Sequence, residues 1–118
     1  ERKYMNNDRF LIIKNIKSFI ISLEKILVAI PKKDYLSREL IYEEALMLLD
    51  SVIKANYESN SDKKKEYQIV ALAKVNMLDF FLERAYKLRY ISEKQASSKA
   101  NELVKINKML YAWCMNEG

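Results

Sequence analysis

Apolar residues recur along this chain at spacings of three and four, and polar breaks divide the recurrence into four segments that each read as a helix. The first, about residues 8–30, carries Ile13, Ile16, Ile20, Leu23, Leu27 and Ile30 in heptad spacing, with Ile12, Phe19 and Ile26 widening the stripe. Such width fits a bundle better than a two-stranded coil. Pro31 ends it, because proline lacks an amide hydrogen and pushes the preceding residue away from helical angles. The second segment opens between Asp34 and Ser37, runs to about Asn56, and draws its buried face from Leu40, Ala45, Leu48, Leu49, Val52 and Ile53. Glu58 to Asp62 is polar and rich in capping residues, which predicts a loop. In the last segment, Ser92 and Gln95 have the spacing of a capping box, and Ala96, Ala100, Leu103, Leu110 and Cys114 form the apolar stripe toward Met115.

The third segment, about Asp62 to Leu88, is apolar on two opposite faces. Tyr67, Ala71, Leu78, Phe81, Ala85 and Leu88 make one stripe, predicted to be the core seam. Ile69, Leu72, Ala73, Asn76 and Phe80 make the other, about half a turn away. Either this helix is the most central of the four, or the second stripe meets another subunit. With so few helices available to surround it, an oligomer interface is expected.

Four helices joined by connections of a few residues predict an all-α fold, an antiparallel up-and-down four-helix bundle, since a short loop reaches only the near end of a neighbour. Composition agrees. Of 118 residues, 50% are hydrophobic, while Gly and Pro occur once each, too rarely for the turns of a β architecture. This length predicts one domain over residues 1–118.

Candidate chemistry is sparse. With no His, one Cys and one Gly, the sequence offers no metal-ligand set, no glycine loop for phosphate and no nucleophile–base pair; no catalytic residue, metal or cofactor is expected. Glu43, Glu44 and Asp50 read as solubilising carboxylates, Cys114 as a buried thiol, and Tyr111 and Trp113 as packing anchors. One cysteine excludes an internal disulfide, which fits a reducing cytoplasm. No apolar run is long enough to span a bilayer, so no membrane partner is expected.

Net charge is +5, a basic excess that favours polyanions or acidic partners. Residues 1–30 hold six basic against three acidic side chains, and residues 31–57 four against five. The candidate nucleic-acid or polymerase contacts are Lys63, Lys64 and Lys65 at the start of the third helix, Arg84, Lys87 and Arg89 near its end, and Lys94, Lys105 and Lys108, which share a face of the fourth with Asn101. Any one cluster could be an ordinary solvated face. Repetition around a ring of subunits would sum them into a large field.

Ala29-Ile30-Pro31-Lys32-Lys33, Arg38-Glu39, Lys54-Ala55-Asn56-Tyr57, Met77-Leu78-Asp79-Phe80-Phe81-Leu82, Ile91-Ser92 and the closing Ile106 to Trp113 run together resemble Avd, the accessory variability determinant of diversity-generating retroelements. The resemblance spans nearly the whole chain. It implies a basic, barrel-shaped pentamer without catalytic activity, which binds a reverse transcriptase and its template RNA or complementary DNA to support mutagenic copying. Asp79 and Glu83 stand where that family commonly carries Arg on its partner-binding surface, and Tyr111 and Ala112 lie where it has glycines. The alternative is a structural oligomer like the four-helix proteins encoded in ribosomal-RNA intervening sequences, with no polymerase partner.

Overall fold

The computed structural model describes residues 10–116. Among them are four helices and no strand: α1 (Leu11–Leu27), α2 (Tyr35–Tyr57), α3 (Ser61–Lys87) and α4 (Glu93–Asn116), with one 3-10 turn at Lys32–Asp34 before α2. The expected start of the first helix near Asp8 lies outside the described residues. Consecutive helices pack side by side, and α1 also packs on α4, closing a four-helix bundle. Polar ties fix the antiparallel register. Glu44 pairs with Lys74 across α2 and α3 at 2.8 Å. Between α1 and α4, Asn15 lies 3.3 Å from the Met109 sulfur, and Lys99 bonds Ser22.

Each helix end has a local cause. α1 stops at Leu27 rather than Ile30 because the chain tightens before Pro31: the Ala29 and Ile30 amides donate to the Ile26 and Leu27 carbonyls at 3.0 and 3.1 Å. Ile30 is nonetheless buried, and its carbonyl accepts from the Arg38 guanidinium at 2.7 Å. Asn60 caps α3 by accepting the Lys63 amide at 3.0 Å. At α4 the capping box forms in both directions, the Ser92 amide donating to Gln95 Oε1 and the Gln95 amide to Ser92 Oγ, each at 3.0 Å.

The end of α3 is the least expected. Arg89 has φ of 64°, in the left-handed region. Its amide donates to the Tyr86 carbonyl and that of Tyr90 to the Ala85 carbonyl, both at 2.9 Å. This is the reciprocal pair of a Schellman cap, formed with arginine where glycine is usual.

The core follows the heptads with a shift in phase. In α2, Ile41, Ala45, Leu48, Val52 and Ala55 are buried, and Leu40, expected inside, is exposed. In α3 the buried line is Gln68, Ala71, Val75, Leu78, Leu82 and Ala85, an unbroken three-four alternation. The expected Ala71, Leu78 and Ala85 axis is therefore real, but the stripe widens toward Val75 and Leu82. Tyr67 and Phe81 are half-buried and Leu88 exposed. In α4, Leu103, Leu110 and Cys114 are buried, Ala96 and Ala100 half-buried, and Lys99 and Ile106 complete the face. Lys99 is only 5% exposed; its ammonium meets Ser22 and Glu102 and lies 5.7 Å from the centroid of the Phe19 ring. A buried ammonium requires such partners.

Candidate interaction surfaces

The two connections at one end of the bundle are bound to each other through Asp34, the last residue before α2. One Asp34 oxygen accepts the Ser37 hydroxyl and the other the Tyr90 hydroxyl, each at 2.8 Å. Ser37 in turn accepts from Arg84 Nη1 at 2.7 Å, which leaves that nitrogen 3.8 Å from Asp34. The Ser37 and Tyr90 hydrogen bonds, with a smaller contribution from the Arg84 charge, hold the Asp34 carboxyl below its ordinary range against the opposing effect of desolvation. The same bond pushes the Tyr90 phenol up.

This clasp decides which cations lie together. It joins the α1–α2 connection, with the exposed Lys32 and Lys33, to the α3–α4 connection at the end that carries Arg84, Lys87, Arg89 and Lys94. Sequence reasoning did not count Lys32 and Lys33 as site residues; the up-and-down topology puts the two connections at one end, and the Asp34–Tyr90 and Arg84–Ser37 bonds hold them together. The opposite end holds Lys63, Lys64 and Lys65. From Lys63 to Lys87 is about 36 Å along α3, several Debye lengths at physiological salt, so the candidates form separate basic groups instead of one patch.

The lysine run is also divided by what it touches. Lys63 is exposed. Lys64 places its ammonium 5.6 Å from the centroid of the Trp113 ring. Lys65 donates to the Cys114 carbonyl at 2.7 Å, where the unpaired carbonyls at the end of α4 carry partial negative charge. Lys105 and Lys108 are exposed along α4. Trp113 packs edge-on against Phe10, with centroids 5.0 Å apart, while Tyr111 is exposed.

Of the second stripe on α3, Ile69, Ala73, Asn76 and Phe80 face outward, Ile69 being 55% and Phe80 52% exposed. Leu72 does not belong with them: it is half-buried and packs against the core, because it lies on the flank of the helix that turns inward. Val70 and Met77, with Leu36, Leu40 and Met47 of α2, add further exposed apolar surface. The Asn76 amide folds back on its own helix, donating one N–H to the Leu72 carbonyl at 2.9 Å. The carboxylates of α2 are dispersed, Glu44 pairing with Lys74 and Asp50 with Lys54 at 3.0 Å. Among the described residues, no group of three or more Cys, Asp or Glu side chains is disposed to hold a metal ion, and no helix is long and apolar enough to cross a membrane.

No family model matches the chain, and no curated protein matches it. A solved structure does: a protein of unknown function from the S23 ribosomal protein family of Bacteroides thetaiotaomicron superposes with a TM-score of 0.81 at 16% identity, covering 89% of this chain and 96% of that one. At that identity the likeness shows a shared all-helical fold and no more.

Proposed function

We propose that the chain is a non-catalytic, Avd-like accessory protein of a diversity-generating retroelement, acting in the cytoplasm as a homo-oligomer that binds a reverse transcriptase and its template RNA or complementary DNA. The observation that carries the reading is the pairing of two unrelated surfaces on one small bundle. An apolar face on α3, opposite the core, offers a contact for assembly, and the basic group around Lys32, Lys33, Lys87 and Arg89 offers a contact for phosphates. Each is modest alone. A ring, such as the pentameric barrel that the resemblance implies, would repeat the basic group around its rim and multiply its field.

A second reading is a structural oligomer of the ribosomal-RNA intervening-sequence type. It is favoured by the use of Lys64 and Lys65 against the end of α4 and by acidic Asp79 and Glu83 on α3. Salt dependence separates the two. Binding of a labelled 20-nucleotide single-stranded RNA, followed by anisotropy, should weaken linearly on a logarithmic salt scale for the accessory protein. Exchanging Lys32, Lys33 and Lys87 together for Gln should flatten that slope with the thermal midpoint unchanged. The absence of saturable binding at physiological salt would leave the structural reading.

A further inference from the structure

α3 and α4 leave a groove along their outer seam. Its first stretch, with a volume of about 260 Å³, has Leu82, Ala96 and Ala100 along it, with Asp79, Glu83 and Glu93 at its sides. A second stretch of about 210 Å³ shares Asp79 and continues past Val104 to Asn107 and Lys108. Glu93 to Asn107 spans about 21 Å of helix, or four turns. Ala96, Ser97 and Ala100 keep the α4 wall low, so that another backbone can approach closely. Val104, half exposed, extends the apolar floor.

The charges along this groove oppose those of the chain. The protein carries +5 overall, yet the wide end of the groove holds three carboxylates, and among the described residues none of the three has an ion-pair or hydrogen-bond partner. No cation lines that stretch; Lys108 comes only at the far end. A phosphate backbone is repelled here, whereas an amphipathic helix bearing Lys or Arg gains charge complementarity along the same seam where its apolar side meets Tyr86, Ala100 and Val104.

The geometry points to the α3–α4 groove as the docking site for a basic amphipathic helix of a protein partner. The helix lies along the seam with its apolar side inward and its cationic side chains among Asp79, Glu83 and Glu93. Its Glu93 end adjoins the basic end of the bundle, where Lys87 and Arg89 line the neighbouring pocket, but the inference does not depend on the nucleic-acid reading.

The test uses the full chain and two fluorescein-labelled 18-residue helical peptides, one of Leu and Lys in amphipathic register, the other with every Lys replaced by Glu. At physiological salt the Lys peptide should bind saturably and the Glu peptide should not. The Asp79→Lys/Glu83→Lys double variant should weaken binding of the Lys peptide by roughly tenfold. Ala100→Gln should weaken it as well, through bulk without charge. Circular dichroism of both variants keeps loss of fold apart from loss of binding. The inference is overturned if the Lys peptide binds no better than its twin, if the charge reversal leaves binding unchanged, or if Ala100→Gln has no effect, since attraction would then be diffuse and not seated in the groove. RNA binding measured on the double variant should be retained, which separates failure of this inference from failure of the proposed function.

Discussion

Tyr90 and Asp34, 56 positions apart, share a 2.8 Å hydrogen bond that fastens the α3–α4 connection to the α1–α2 connection. The bond depends on the charge of Asp34 and so gives the bundle a pH signature. The Asp34 carboxyl is held below its ordinary value of 3.8, so its contribution to stability is fully present above that value and is lost as pH falls through the folded pKa. The Tyr90 phenol is raised above 10.0, so its contribution is fully present below that value and lost as pH rises through the folded one. Thermal midpoints of the wild type and Asp34→Asn should differ by a constant amount from about pH 5 to pH 9 and converge toward both extremes. A difference that does not vary with pH would remove the clasp from the account.

Arg89 should be a site where stability and binding oppose each other. Its left-handed backbone, φ 64°, costs arginine about 1 kcal/mol that glycine does not incur. Arg89→Gly is therefore expected to raise unfolding free energy by about 1 kcal/mol in urea titration while lowering RNA affinity, because it removes one cation from the basic end. An unchanged or lower stability would contradict the Schellman assignment.

Gln68 is 2% exposed, and its Nε2 has no hydrogen-bond partner. An unsatisfied buried amide nitrogen costs on the order of 1–3 kcal/mol. Gln68→Met, which keeps the length of the side chain, should stabilise the protein by about 1 kcal/mol without altering helical content. A loss of stability would mean that the amide contributes more to packing than its missing bond costs.

Phe80→Asp tests assembly. Phe80 is outward-facing and half exposed, so a charge there should leave the core intact and yield smaller particles of unchanged helicity by light scattering and circular dichroism. Equal particle mass for variant and wild type would exclude this face as the contact between subunits.

Much of the fold was legible because the heptads are long and their interruptions are chemically distinct. Pro31, the Glu58 to Asp62 stretch and the Ser92/Gln95 box mark helix boundaries to within a few residues. The phase of the stripes was harder. Leu40 and Ile41 are adjacent and both apolar, and the choice between them depends on where α1 and α3 lie. The same tertiary cause makes Leu72 a flank of the core instead of a member of the outer face. Arg89 gave no local signal, since an arginine cap looks like the basic last turn of any helix. Lys65 and Lys99 were illegible for a further reason: a lysine stem is long enough to carry its charge to another helix, so spacing along its own helix does not reveal its role. The candidate basic site consequently changed shape, losing Lys65 to the end of α4 and gaining Lys32 and Lys33.

The central claim, an accessory protein working with a reverse transcriptase, is tested most directly by purifying the tagged protein from its native host, treating half of the sample with nuclease, and identifying bound proteins by mass spectrometry. The account predicts recovery of a reverse transcriptase, with the comparison of the two halves showing whether RNA bridges it to the bundle. Recovery of the chain alone in both halves would contradict the account and leave a structural oligomer.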